Sequence, residues 1–281
     1  MKNNKLIIEI IESINESDQK IINIFSFLEN YLLERFNNDY VDSNIDKIGS
    51  QIINHYKQEV LRCNNKFITP KFEIADYNEN ILLKSEFTFN KEEQELQSYK
   101  IKYREEVFNA LKDISWQNFE ELAKYILKSN RLSKINITQS SKDQGIDFYG
   151  FLHFEDLTLK SNRLSRDINI RLIGQAKHSS VGNKVNHQKV SSFATEIRKL
   201  RKRQNSNYFT CLDEGFYENE NAIVGLFITN TDYAPKSEDF ANEYGIIIWD
   251  GEQISDDLCI KEYIDKMLNE LGEIEIKRLI N

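Results

Sequence analysis

An aspartate, a glutamine and a lysine stand where apolar runs meet polar sequence. Asp147 opens IDFYGFLHF (146–154), and Gln175 and Lys177 close INIRLIGQAK (168–177). Taking such groups out of water without partners costs roughly several kcal/mol each, so neighbours or a ligand should offset it. On a strand, residues two apart share a face, which places Gln175 and Lys177 together. If the strand beginning at Asp147 lies beside the one ending at Lys177, a carboxylate, an amide and an ammonium meet at one sheet edge. A divalent cation there would be held by carboxylate and carbonyl oxygens, the donors magnesium prefers. The ammonium would lie beside the water it helps to ionise, or beside the phosphate oxygen that gains charge. A further carboxylate is expected from the preceding helix, WQNFEELAKYILKSN (116–130). At about 100° per residue Glu121 falls opposite the apolar stripe, whereas Glu120 lies on its flank and can turn inward. Glu120 is therefore the candidate.

The elements that must position these groups begin at Ser115, a plausible N-cap for a helix with Trp116, Phe119, Ala123 and Ile126 on one stripe. INITQSS, a turn at Lys142-Asp143-Gln144-Gly145 and IDFYGFLHF then read as a strand, a turn and a second strand. A polar segment (155–167) leads to INIRLIGQAK, and a helical run (185–203) precedes the strand AIVGLFITN. A helix over 237–244 stopped by Gly245, the strand IIIWD and a last helix over 254–279 complete the chain. The order helix, three strands, helix, strand, helix, strand, helix predicts an α/β layer sandwich with a mixed sheet flanked by helices.

Phe119-Glu120, Asp143-x-Gly145-Ile146-Asp147 and Gln175-Ala176-Lys177, in this order and spacing, resemble the Mrr-type restriction endonucleases. These form a branch of the PD-(D/E)XK nucleases in which glutamine replaces the third-strand acid. The tail LFITNTDYAPKSEDFANEYGIIIWDGEQI (226–254) is similar to the strand, helix and strand of that family. The resemblance covers about 114–256. It implies a restriction-endonuclease-like fold and Mg²⁺-dependent hydrolysis of DNA phosphodiesters, with Mn²⁺ as a substitute. It further implies that Asp147 is the central metal ligand with Glu120 in support, that Gln175 ligates directly or through water, and that the Ala176 carbonyl is a further ligand. Lys177 would orient or deprotonate the attacking water, or neutralise charge on the phosphorus oxygens. One departure is the long gap between Asp147 and Gln175, filled by the polar insertion.

Charge distribution points the same way. The chain carries a net charge of −8, yet residues 158–203 hold twelve Lys/Arg against two acids, Asp167 and Glu196. A basic segment in an acidic protein is suited to a polyanion. Lys184, Lys189, Arg198, Lys199, Arg201 and Lys202 are the candidate DNA contacts, of the kind that supply affinity with little sequence information.

Residues 1–113 are expected to form a mainly helical accessory, recognition or oligomerisation domain, and 114–281 the nuclease domain. Apolar residues recur at helical spacing over 7–14 and 21–28, a polar patch interrupts at 37–46, a hairpin turns at Asn78-Glu79-Asn80, and a charged helix follows over 91–112. The remaining chemistry-bearing residues have ordinary readings. Asp143 is a turn residue, His178 and His187 are surface histidines, Trp116, Phe119 and Trp249 are core aromatics, and Asp250-Gly251 is a turn. Ser191 and Ser192 lack a histidine-acid partner at recognisable spacing. Cys63, Cys211 and Cys259 are far apart without a CxxC pair, which argues for reduced thiols and against zinc. No secretory signal or membrane span is legible, so a soluble cytoplasmic protein is expected.

A restriction or antiviral defence enzyme is the first expectation. Two rivals are an effector subunit active only within a complex and a catalytically inactive DNA-binding protein of the same fold. No GxxxxGK[ST] loop is present, so nucleotide-driven steps would require a partner ATPase or sensor subunit. Cutting both strands calls for two active sites, hence a homodimer or higher oligomer.

Overall fold

A computed structural model describes residues 2–129, 133–138, 145–153, 169–180, 182–202, 211–218 and 222–280. The expected polar insertion and Asp143 lie outside these residues, as does Arg203. The chain divides into two compact units, one of Met1–Arg104 with Cys259–Lys261 and one of Glu105–Leu258 with Glu262–Asn281.

The first unit contains α1 (Lys2–Glu16), β1 (Ile21–Asn23), α2 (Ile24–Leu33), α3 (Asn38–Lys66), β2 (Phe72–Ala75), β3 (Asn78–Lys84), a 3-10 turn (Ser85–Phe87) and the start of α4 (Lys91–Lys112). Its antiparallel strands run in the order β1-β3-β2. Ile10, Ile14, Leu28, Leu32, Ile52 and Leu82 are fully buried around them. The polar patch at 37–46 is not an interruption. Asn37 accepts the Tyr40 amide at 3.1 Å and starts α3, so polar residues fill the exposed first turns of one continuous helix. The hairpin exists, but it turns at Asp76-Tyr77, two residues earlier than its asparagines suggest.

The second unit is built from α5 (Trp116–Ser129), β4 (Ser133–Ile137), β5 (Phe148–His153), β6 (Asn169–Lys177), α6 (His187–Arg201), α7 (Glu214–Glu218), β7 (Ile223–Thr229), α8 (Pro235–Glu243), β8 (Ile246–Trp249), α9 (Gly251–Leu258), α10 (Lys261–Met267) and α11 (Lys277–Ile280). Helices and strands alternate as expected, and the strands form one mixed sheet in the order β4-β5-β6-β7-β8. β4, β5 and β6 pair antiparallel, while β6, β7 and β8 pair parallel. Phe193, Ile197, Phe216, Phe227 and Ile246 are buried in the core that includes the sheet.

Ser115 caps α5 as expected, its hydroxyl accepting the Asn118 amide at 3.3 Å. Burial on that helix begins at Phe119 and continues through Leu122, Ala123, Ile126 and Leu127, the i, i+3, i+4, i+7, i+8 stripe. Trp116 is 50% exposed and is no core residue, because it occupies the first position of the helix, ahead of the buried stripe. Asp250-Gly251 is not a free turn either. The Asp250 carboxylate accepts the Glu252 and Gln253 amides, Gln253 answers the Asp250 amide, and this capping box starts α9. The expected last helix is three short ones, with a Leu268–Ile274 bridge and Gly272 at φ +79° between the second and third. No disulfide joins any of the three cysteines, and Cys63 and Cys259 are buried. Among the described residues no helix is long and apolar enough to cross a membrane.

Candidate active site

Two short polar sequences meet at the C-terminal edge of the parallel strands. The β5–β6 ladder ends at the Phe148–Gly174 pair, just past Asp147. Beyond that point the amide of Ala176 faces the side where β5 has run out. The Asp147 carboxylate takes its place, with Oδ2 accepting the Ala176 N–H at 2.7 Å. The backbone of Asp147 is held too, its amide donating to Gly174 O at 2.9 Å and its carbonyl accepting from Thr138 at 3.1 Å.

Glycine is required here for two reasons. Gly145 has φ +83°, a left-handed conformation that favours glycine, and the Gln175 amide lies 3.6 Å from where its Cβ would stand. At Gly174 a Cβ would overlap the Phe148 ring, which lies over the glycine.

A residue's N–H and C=O point to the same side of a strand. Ala176 therefore directs both groups toward Asp147, while Lys177 directs its carbonyl toward β7, where Thr229 Oγ1 donates to it at 2.8 Å. The Gln175 and Lys177 side chains share one sheet face by alternation, and both are half-buried. Asp147, Gln175 and Ala176 are thus brought together, with Lys177 one repeat further along β6.

Helix α5 passes the same end of the sheet, but Glu120 is exposed and is not turned inward as expected. The Phe119 ring beside it lies 6.4 Å from the His178 ring, and His178 Nε2 is 2.7 Å from Ile114 O. His178 is accordingly a half-buried link to the start of α5, not a surface histidine. Both Glu120 and Glu121 are exposed, and Glu121 pairs with Lys124 at 3.3 Å. No group of three or more His, Cys, Asp or Glu suited to a metal occurs among the described residues. The donor chemistry is that of a hard, water-rich cation held by one or two carboxylates with amide and carbonyl oxygens, which fits magnesium.

Asn230 is the participant that sequence reasoning missed. It is fully buried after β7, and its side-chain amide pairs with both backbone groups of Ser179, at 2.8 Å and 3.2 Å. It thereby extends the sheet by one side chain and fixes the backbone just after Lys177 and His178. The signal was present in the sequence: Thr-Asn-Thr closes an apolar strand, as Gln-Ala-Lys does.

The basic segment is divided by the fold. α6 begins beside the C-terminal edge, where Val185 bridges Tyr233, and runs back along β7. At its far end the Arg201 guanidinium donates to Ile223 O, Tyr244 O and Gly245 O at 2.9, 2.8 and 3.1 Å. Those carbonyls lie at the beginnings of β7 and β8, the edge opposite Lys177. With a rise of about 1.5 Å per residue, Arg198 to Arg201 stand roughly 14–18 Å along the helix from the exposed Lys189, and the exposed Lys184 precedes the helix. Lys184 is 3.5 Å from Asp232, and Lys199 is paired with Glu196 at 2.8 Å. Arg171, counted among the basic residues, is buried and donates to Phe216 O at 2.9 Å. The structure does not gather the six candidate DNA contacts at one place. Arg201→Ala is expected to cost about 1–2 kcal/mol of stability through the lost charged hydrogen bonds. Denaturant titration measures this, and an unchanged midpoint would remove the bracing role.

Residues 111–213 match the family model Mrr_cat, described as a restriction endonuclease. This segment is similar to the Mrr-type restriction endonuclease domain. The resemblance read from the sequence is borne out over this segment, which contains Glu120, Asp147, Gln175 and Lys177. Among solved structures, "MspJI Restriction Endonuclease in Complex with 27-mer Oligonucleotide" is similar at 16% identity with a TM-score of 0.35. The match covers 58% of this chain and 31% of that one, so this chain spans about a third of that relative's length. No curated protein matches the chain.

Proposed function

We propose that the protein is a Mg²⁺-dependent DNA endonuclease of a restriction or antiviral defence system. The observation that supports this most is the Asp147 carboxylate bound to the Ala176 amide at 2.7 Å, beside Gln175 and Lys177, within the Mrr-type segment. A carboxylate docked at a strand end, one residue short of a lysine on the neighbouring strand, suits the hydrolysis of a phosphodiester. Water adds to phosphorus and loses a proton, the bond from phosphorus to one deoxyribose oxygen breaks, and that oxygen takes up a proton.

In this reading Asp147, Gln175 and the Ala176 carbonyl hold the cation, with Glu120 approaching from α5. When bound, Mg²⁺ supplies Lewis-acid stabilisation of the charge that builds on the phosphate oxygens. Lys177 orients the attacking water and offsets that charge from the open face of β6. Asn230 keeps the backbone after Lys177 in place. The DNA backbone is met first by Lys184 and Lys189, which stand at the site end of α6, and Arg201 braces the opposite edge. The 1–113 segment serves recognition, sensing or assembly, and a homodimer or higher oligomer supplies the second active site for a double-strand break.

Cleavage of methylated and unmethylated duplex DNA and of RNA, with Mg²⁺, Mn²⁺ and chelator, tests the proposal. Duplex cutting that disappears with chelator is the expected result. Cutting of RNA alone would overturn DNA as the substrate, and binding without any cutting would favour the inactive DNA-binding protein. The double variant Lys184→Glu/Lys189→Glu is expected to weaken DNA binding about tenfold or more and to flatten its salt dependence. Arg198→Ala/Lys202→Ala should have a smaller effect, and the reverse order would place DNA on the other end of α6.

A further inference from the structure

The first unit has a cavity of about 650 Å³ that the nuclease reading does not use. Its size lies within the roughly 300–1,000 Å³ range of small-molecule sites. Three lysines line it from separate parts of the chain. Lys71 precedes β2, Lys84 ends β3, and Lys102 lies on α4. The hairpin brings the first two together, because Phe72 pairs with Lys84 and the Ser85 amide donates to Lys71 O at 3.2 Å.

The α4 side of the cavity is aromatic. Tyr99, Lys102 and Tyr103 are three and four residues apart, so they share a helix face. The two tyrosine rings are 5.8 Å apart at 32°, and Lys102 Nζ is 4.6 Å from the centre of the Tyr103 ring. Flat apolar surface therefore lies directly beside positive charge.

Asp18 and Glu86 also line the cavity, as does Glu16. They are not part of a metal-binding cluster of three such groups among the described residues. Carboxylates in a lysine-lined cavity accept hydrogen bonds from hydroxyl or amino groups, and they disfavour a bare anion. The combination calls for a ligand with phosphate charge, hydroxyl or amino donors and a flat ring.

We propose that this cavity binds a free nucleoside phosphate. The phosphates lie among Lys71, Lys84 and Lys102, the base packs on Tyr99 and Tyr103, and the ribose hydroxyls or base amino group donate to Asp18 and Glu86. Stacking on such rings is worth about 1–3 kcal/mol per base and tolerates different bases. The phosphate contacts are made by point charges, so affinity should fall with salt.

The test is calorimetric titration of the full chain with ATP, GTP, adenosine, pyrophosphate and a short single-stranded oligonucleotide. One nucleotide is expected to bind saturably, at least tenfold more tightly than adenosine or pyrophosphate alone. Lys84→Ala/Lys102→Ala and Tyr99→Ala/Tyr103→Ala should each weaken it at least tenfold. Melting temperatures of the ligand-free variants identify any that fail to fold, and Lys71→Ala, exposed at a strand start, provides the further arm in that event. Pyrophosphate binding as tightly as the nucleotides would overturn the role of the rings. Tighter binding of the oligonucleotide, lost in the same variants, would assign the cavity to a nucleic-acid strand instead. Absence of saturable binding at millimolar concentration, or affinity unchanged in the variants, would also overturn the proposal. None of these readouts depends on DNA cleavage.

Discussion

Asp147→Asn is expected to lower Mg²⁺-dependent cleavage by about 10³-fold while leaving the fold intact. The asparagine side-chain oxygen can still accept the Ala176 amide, now held by Oδ2 at 2.7 Å, so the junction between β5 and β6 persists. What disappears is the negative charge that would hold a cation. Removing one group that acts on transition-state charge typically costs 10²- to 10³-fold, roughly, and loss of the proposed main cation ligand should sit at the upper end. Lys177→Ala should produce a loss of similar order, since Lys177 is the one lysine of β6. Single-turnover cleavage of plasmid DNA, with circular dichroism to monitor folding, measures both. A wild-type rate in either variant would remove that residue from the site.

Gly251→Ala should be the most damaging small substitution for stability, costing about 3 kcal/mol or more. A Cβ at this position would stand 2.4 Å from Asn230 O and 2.6 Å from the Phe108 ring. The first of these is backbone, which cannot rotate away. The Gly251 amide is also tied to Thr231 O at 2.9 Å, so α9 cannot retreat without losing that bond. A decrease in melting temperature on the order of 10 °C is expected. Because Asn230 fixes the Ser179 backbone, cleavage should decline at temperatures where the protein remains folded. A variant that melts with the wild type would show that the neighbouring backbone yields more easily than its packing implies.

Much of the second unit was readable from local pattern. The stripe from Phe119 to Leu127, the Ser115 cap and the order of helices and strands follow from propensity, periodicity and capping, which act over a few residues. The same locality explains the misreadings. Trp116 fits the helical stripe but precedes the turn that packs. Asp250-Gly251 has turn composition, yet the reciprocal bonds with Gln253 make it a helix start. The polar residues from Asn37 onward read as a break because exposed helix surface and loop share a composition.

The sequence by itself determined the residue types at the candidate site, the elements beside or within which Glu120, Asp147, Gln175 and Lys177 stand, and the family that the segment containing them resembles. Tertiary structure alone decided that the Asp147 carboxylate occupies the vacant partner position of Ala176, a relation across 29 residues that no local period encodes. It also decided that one helix holds Lys189 at one edge of the sheet and Arg198, Lys199 and Arg201 at the other. Composition counts charge along the chain, whereas a partner in solution meets charge only where the folded backbone has put it.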